Sequence, residues 1–222
     1  MADVPFNPLD KRNLAESVAG ALLTRRVGPL SPINRFMGAG IYAIYYAGDF
    51  KAYRRVTELN RNERFEQPIY IGKAVPSGAR KGGFGLDALK EPALFKRINE
   101  HAKSIEPAKN LKLKDFFCRY LVLQDDIWIP LGESLLIGRF QPLWNILIDG
   151  FGIHKPGKGR EKQARSQWDT LHPGRELAQV LPPNPKSAAE LEKIIEDFFA
   201  GKVKPAISPE EAVIKEEEEQ EE

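Results

Sequence analysis

Two short apolar segments, each carrying a tyrosine beside a glycine, constrain this chain most. They are Gly40-Ile41-Tyr42-Ala43-Ile44-Tyr45-Tyr46 and Pro68-Ile69-Tyr70-Ile71-Gly72-Lys73. Their β-branched and aromatic residues suit a pleated, half-buried surface, and Gly40, Gly48, Pro68 and Gly72 punctuate the ends, so both are expected to be strands. By themselves the strand tyrosines read first as core packing. A third strand is expected over residues 115–123, where Phe116, Cys118, Tyr120 and Val122 alternate with Phe117, Arg119, Leu121 and Leu123 and both faces look covered.

Helical periodicity surrounds these strands. Residues 10–27 repeat Leu14, Val18 and Leu22, with Asp10 as N-cap and Gly28-Pro29 as the stop; this helix should pack on the core or on a second subunit. Residues 94–105 should bury Leu94, Ile98, Ala102 and Ile105 and carry Arg97 and His101 on one face, at the edge of that stripe. In the helix expected at 130–140, opened by Pro130, Glu133 is the one acidic residue, and a carboxylate among apolar neighbours needs a partner. An ion pair with Arg139 would suffice, but a metal ligand is the preferred reading, because a hard cation such as Mg²⁺ takes oxygen donors. Ser187-Ala188-Ala189-Glu190 has the form of a capping box, followed by the stripe Leu191, Ile194, Ile195, Phe198 and Phe199 and stopped by Gly201.

Gly40-Ile41-Tyr42 followed by Tyr70-Ile71-Gly72, then Lys73, Arg97 and Glu133 on later helices, and Asn145 after Pro142-Leu143-Trp144, resembles the GIY-YIG nuclease family over about residues 40–145. The resemblance implies an α+β fold, a small three-stranded antiparallel sheet flanked by helices, and cleavage of phosphodiester bonds. It makes Tyr42 the general base for water, organised by Tyr70, His101 and Lys73, with Arg97 clamping the phosphate, Glu133 holding Mg²⁺ and Asn145 supporting the site. The family joins its two motif strands tightly, whereas residues 46–67 here form a substantial insertion. That insertion, and His101 four residues after Arg97, look most like the type II restriction endonuclease branch, which implies a homodimer on double-stranded DNA. The resemblance further suggests a GC-rich palindrome of the CCGCGG kind. A repair or homing nuclease, a non-catalytic DNA-binding protein and an interaction domain remain alternatives.

The charge fits a polyanionic partner. Net charge is only +2, but residues 209–222 hold eight acids and one lysine, leaving 32 basic and 23 acidic residues, or +9, in the body. Two loops are candidate DNA contacts: the glycine-rich 76–85, with Arg80 and Lys81, and the segment beyond Asn145, with Lys155, Lys158, Arg160, Lys162 and Arg165 among aromatics. The insertion's Lys51, Arg54, Arg55, Arg61 and Arg64 could grip phosphates from a short helix capped by Asp49, or simply be solvated.

A single domain over 1–208 is expected, with its core at about 38–146, the N-terminal helix 10–27, the insertion 46–67, a C-terminal DNA-reading loop and helix at 147–201, and a disordered acidic tail at 209–222. The lone Cys118 precludes an internal disulfide and a cysteine-based zinc module. No apolar run approaches the roughly 20 residues of a membrane span, and the N-terminus lacks a signal-peptide pattern, so a soluble, cytoplasmic protein is expected.

Overall fold

Strand β2 (Ala39–Tyr46) is buried along its whole length, and the rest of the architecture follows from covering both of its faces. The computed structural model describes residue 7 and residues 10–76, 89–152 and 163–203. Within these, β1 (Gly28–Pro29), β2, β3 (Tyr70–Ala74) and β4 (Phe116–Leu123) form one antiparallel sheet in the order β1-β4-β2-β3. Gly40 explains itself in this setting: a Cβ there would collide with the Leu121 carbonyl oxygen of β4.

The period of two along β2 sorts its side chains into two cores. Tyr42, Ile44 and Tyr46 face one core with α2 (Arg54–Asn60), α3 (Ala93–Ile105), α5 (Leu143–Ile146), α6 (Gln167–Leu171) and α8 (Ala188–Phe199). Ile41, Ala43 and Tyr45 face the other, made with α1 (Lys11–Leu23) and α4 (Trp128–Phe140). A short helix α7 (Glu176–Gln179) lies between α6 and α8 in the chain. The α8 capping box forms as expected, and Gly201 takes a left-handed φ of 71° just past the helix end.

The sheet corrects the expectation of three strands. Gly28 and Pro29 do not stop α1; that helix ends at Leu23, and the pair forms an edge strand opposite Cys118 and Phe117. The apolar stripe of α1 also differs: Ala15, Ala19 and Leu22 are buried, while Leu14 and Val18 are half-buried. Small residues let α1 approach α4 closely, at Gly132, where a Cβ would lie 2.6 Å from Val18 Cγ1. This apolar face is therefore used within the chain, not on a second subunit.

The insertion begins as a 3₁₀ turn (Lys51–Tyr53) running into α2, and Phe50 rather than Asp49 precedes it. Its inner face, Tyr53, Val56, Thr57 and Asn60, is core. Helix α4 starts two residues before Pro130, which sits within the first turn where no N–H is required. No described helix is long and apolar enough to cross a membrane. Arg80, Lys81, Lys155, Lys158, Arg160, Lys162 and the tail 209–222 lie outside the described residues.

Candidate active site

Strand β3 is an edge of the sheet, and Gly72 on it stands directly opposite Tyr42 of β2. The phenol of Tyr42 lies across that glycine. A Cβ at Gly72 would collide with the Tyr42 hydroxyl and come within 2.9 Å of Tyr70 Cε1, so only glycine leaves the two tyrosines room to converge. Their ring centroids are 6.2 Å apart.

Helix α3 delivers the next two groups from the same face of the sheet. His101 Nε2 and the Tyr42 hydroxyl share a 2.6 Å hydrogen bond, and the imidazole edge-packs against Tyr70 at 5.1 Å. His101 is fully buried, inside the apolar stripe of α3 rather than at its margin. Arg97, one turn earlier and partly exposed, donates to the Gly152 carbonyl at 3.2 Å and pairs with Glu100 at 3.3 Å.

The opposite face supplies Lys73 and Glu133. Lys73 pairs across the ladder with Ile41, so it points toward α4, where its Nζ lies 2.9 Å from Glu133 Oε2. Arg139 is not the partner of Glu133; it bridges to Glu16 of α1. Glu133 still acts on both tyrosines, since its negative charge raises the pKa of each.

Asn145 works on the backbone. Its side chain accepts from Ile71 N–H and donates to Ile71 C=O, both at 2.8 Å, while Trp144 N–H donates to Ile69 C=O at 3.0 Å. Together they satisfy the outer edge of β3 as another strand would.

Electrostatics set the resting protonation. The Tyr42 hydroxyl is pushed well above the ordinary phenol value, by burial first and then by Tyr70, with Arg97 pulling the other way. Tyr70 is raised too, by burial and then Glu133, again opposed by Arg97. Burial works against the Arg97 charge, yet the two tyrosines hold its pKa above the usual value. Tyr42 is thus a protonated phenol in the protein alone, and Arg97 does not suffice to make it a phenolate.

Several contributors carried no readable sequence signal. Phe151 stacks on His101 at 4.5 Å and 17° and meets Tyr70 edge-on at 5.0 Å. Arg175, buried, forks onto both carboxylate oxygens of Asp169 at 2.6 and 2.7 Å and donates to the Gly150 carbonyl at 2.9 Å. The segment 149–152, which touches His101, Tyr70 and Arg97, is thereby fixed by a pair six residues apart across a helix end. Periodicity cannot reveal such a pair. Arg165, expected at DNA, is half-buried and spends its Nε on the Ala178 carbonyl at 3.0 Å.

A family model described as the Eco29kI GIY-YIG domain matches residues 34–199, more than half of the chain. The chain belongs to this family. The Eco29kI GIY-YIG assignment supports a restriction-type nuclease and implies DNA as its substrate class. All seven expected site residues, from Tyr42 to Asn145, fall within the matched region of this GIY-YIG domain. No curated protein matches the chain.

Proposed function

We propose that this GIY-YIG domain is a type II restriction endonuclease that hydrolyses both strands of duplex DNA with Mg²⁺, as a homodimer at a palindromic, GC-rich site of the CCGCGG kind. One observation carries the chemistry: the Tyr42 hydroxyl, held by His101 at 2.6 Å above Gly72, with Arg97 beside it and the Glu133 carboxylate near enough to act on it.

Tyr42 takes a proton from the attacking water while passing its own to His101 Nε2, so no free phenolate has to accumulate. This relay accommodates the raised phenol pKa, which a simple phenolate base would not. The new P–O bond forms to the water oxygen, one bridging P–O bond breaks, and the departing sugar oxygen is protonated from solvent. Arg97 donates charge-assisted bonds to a non-bridging phosphate oxygen, where negative charge grows.

Among the described residues no three His, Cys, Asp or Glu side chains cluster as a metal cage. Glu133 alone fits Mg²⁺, which is commonly held by one or two carboxylates with waters and substrate phosphate oxygens. When bound, the ion supplies positive charge to the phosphate and leaving oxygens. Lys73, bridged to the half-buried Glu133, keeps that carboxylate in place.

Incubating the protein with plasmid DNA and Mg²⁺, with and without chelator, and sequencing the ends tests the proposal. Chelator-sensitive double-strand breaks at one palindrome are expected. Scattered nicks would favour a repair or homing nuclease, and binding without cutting would favour a non-catalytic DNA-binding protein.

A further inference from the structure

At the edge of the sheet away from the tyrosines, a cleft of about 1060 Å³ opens around the short strand β1 and the middle of β4. Arg25, Arg26, Arg35 and Arg61 line it, all exposed. Phe36, stacked on Tyr120 at 4.3 Å and 4°, forms part of its wall.

These arginines differ from most others in the chain. Arg54, Arg55, Arg64, Arg97, Arg139 and Arg175 each sit against a carboxylate. Among the described residues none of these four exposed arginines makes an ion pair; a fifth in the lining, Arg119, is buried and donates to the Leu23 and Phe65 carbonyls, and Glu63 is the one acidic residue there. Four guanidinium forks, held without counter-charge around one concavity, suit the oxygens of successive phosphates.

The rim is also strained. Asn62, Glu63 and Phe65 have φ of 57°, 58° and 45°, left-handed values that are unfavourable for non-glycine residues. The turn is nevertheless pinned: Asn60 bonds Tyr46 and Gln67 on both sides, and Arg119 donates to the Phe65 carbonyl. These bonds fix the backbone from which Arg61 lines the cleft.

From these observations we infer that the cleft binds the phosphate backbone of a second DNA duplex, separate from the one presented to Tyr42 and Tyr70. The inference rests on the DNA-directed reading of the protein, but not on its cleaving DNA. Three inter-strand spacings of about 4.8 Å place the two edges about 14 Å apart, with helices packed on both faces of the sheet between them. Tyr42 and Tyr70 stand on β2 and β3, whereas the cleft opens beyond β4 at the other edge, so a duplex at the tyrosines need not fill it.

The test uses the full chain without divalent cation, so that nothing is cut. The protein is saturated with one short dye-labelled duplex, and a second duplex with a different dye is added. Energy transfer between the dyes, together with sedimentation, reports a ternary complex. Wild type should form it. The variant carrying Arg25→Gln, Arg26→Gln, Arg35→Gln and Arg61→Gln should weaken the second association at least tenfold, so that one duplex is bound under the same conditions, and lower the slope of log affinity against log salt by about 3.6, near 0.9 for each of four lost phosphate contacts. The corresponding four-lysine variant should regain most of the second association, which separates lost charge from lost fold. Arg97→Gln should weaken the first association and spare the second. A wild-type protein that takes one duplex, or a four-glutamine variant that takes two, overturns the inference. Absence of plasmid cleavage by wild type with an intact ternary complex would instead overturn the nuclease reading.

Discussion

Tyr42 and His172 illustrate how burial assigns different work to similar pairs. Each belongs to a tyrosine–histidine hydrogen bond of 2.6 Å, Tyr42 with His101 and Tyr53 with His172. The first lies over Gly72 beside Arg97. The second is closed by Trp144 Nε1 donating to Tyr53 and by Asn110 on His172 Nδ1, which leaves no room for a reactant. Tyr42→Phe should therefore preserve the fold and DNA binding and reduce cleavage about 100-fold or more, the usual range for losing a proton-transfer group. Single-turnover kinetics at saturating enzyme checks it, and near wild-type cutting would remove Tyr42 from the relay. His172 makes a stability prediction. Burial lowers its pKa from 6.5 to about 3, so the unfolded chain binds the extra proton between those values and the folded chain does not. Its contribution is complete above pH 6.5 and is lost as pH falls toward 3. Urea midpoints at neutral and acid pH should show that decline, and His172→Gln should flatten it.

Strands and helices differed in how far their chemistry could be read. The tyrosine-bearing strands and β4 were legible because β-branched and aromatic runs bounded by glycine have few other uses, and α3 and α8 were legible because their stripes repeat over three turns. Strand β1 was not, since two residues carry no period and Gly-Pro resembles a stop. The ion pair of Glu133 falls to Lys73 rather than Arg139, because the ladder register that turns Lys73 toward α4 is a tertiary fact. Asn145 was legible as a position but not as a device. Its amide reproduces the pairing of a missing strand, so Asn145→Ala should leave Ile71 N–H and C=O without partners and cost about 2 kcal/mol, at the low end for two unsatisfied groups. Denaturant titration measures it. Asn145→Asp, which keeps only the acceptor, should fall between alanine and wild type, and a harmless alanine would show that water replaces both bonds.

The molecule as a whole separates its charge along the chain. A body of +9 precedes a terminal segment with eight carboxylates, and the two compete for the same counter-charge. Removing residues 209–222 should strengthen non-specific DNA binding at low salt and leave the melting temperature nearly unchanged, with the difference vanishing as salt approaches 1 M and the screening length falls to about 3 Å. Equal affinity of the two forms at low salt would contradict this.

The packing of α1 on α4 bears on where the folding unit begins. The family match starts at residue 34, yet α1 and β1 lie before it. They supply Ala15, Ala19 and Leu22 to the second core, the Glu16 bridge to Arg139, and the backing of Gly132 next to Glu133. Homology and autonomy thus have different borders in this chain. A fragment cut at residue 34 would open the apolar face of α4 and loosen the helix that carries Glu133. It should be aggregation-prone in solution, whereas one begun at residue 10 should remain monodisperse by light scattering. Anyone grafting this nuclease unit onto another protein should carry residues 10–33 along with it.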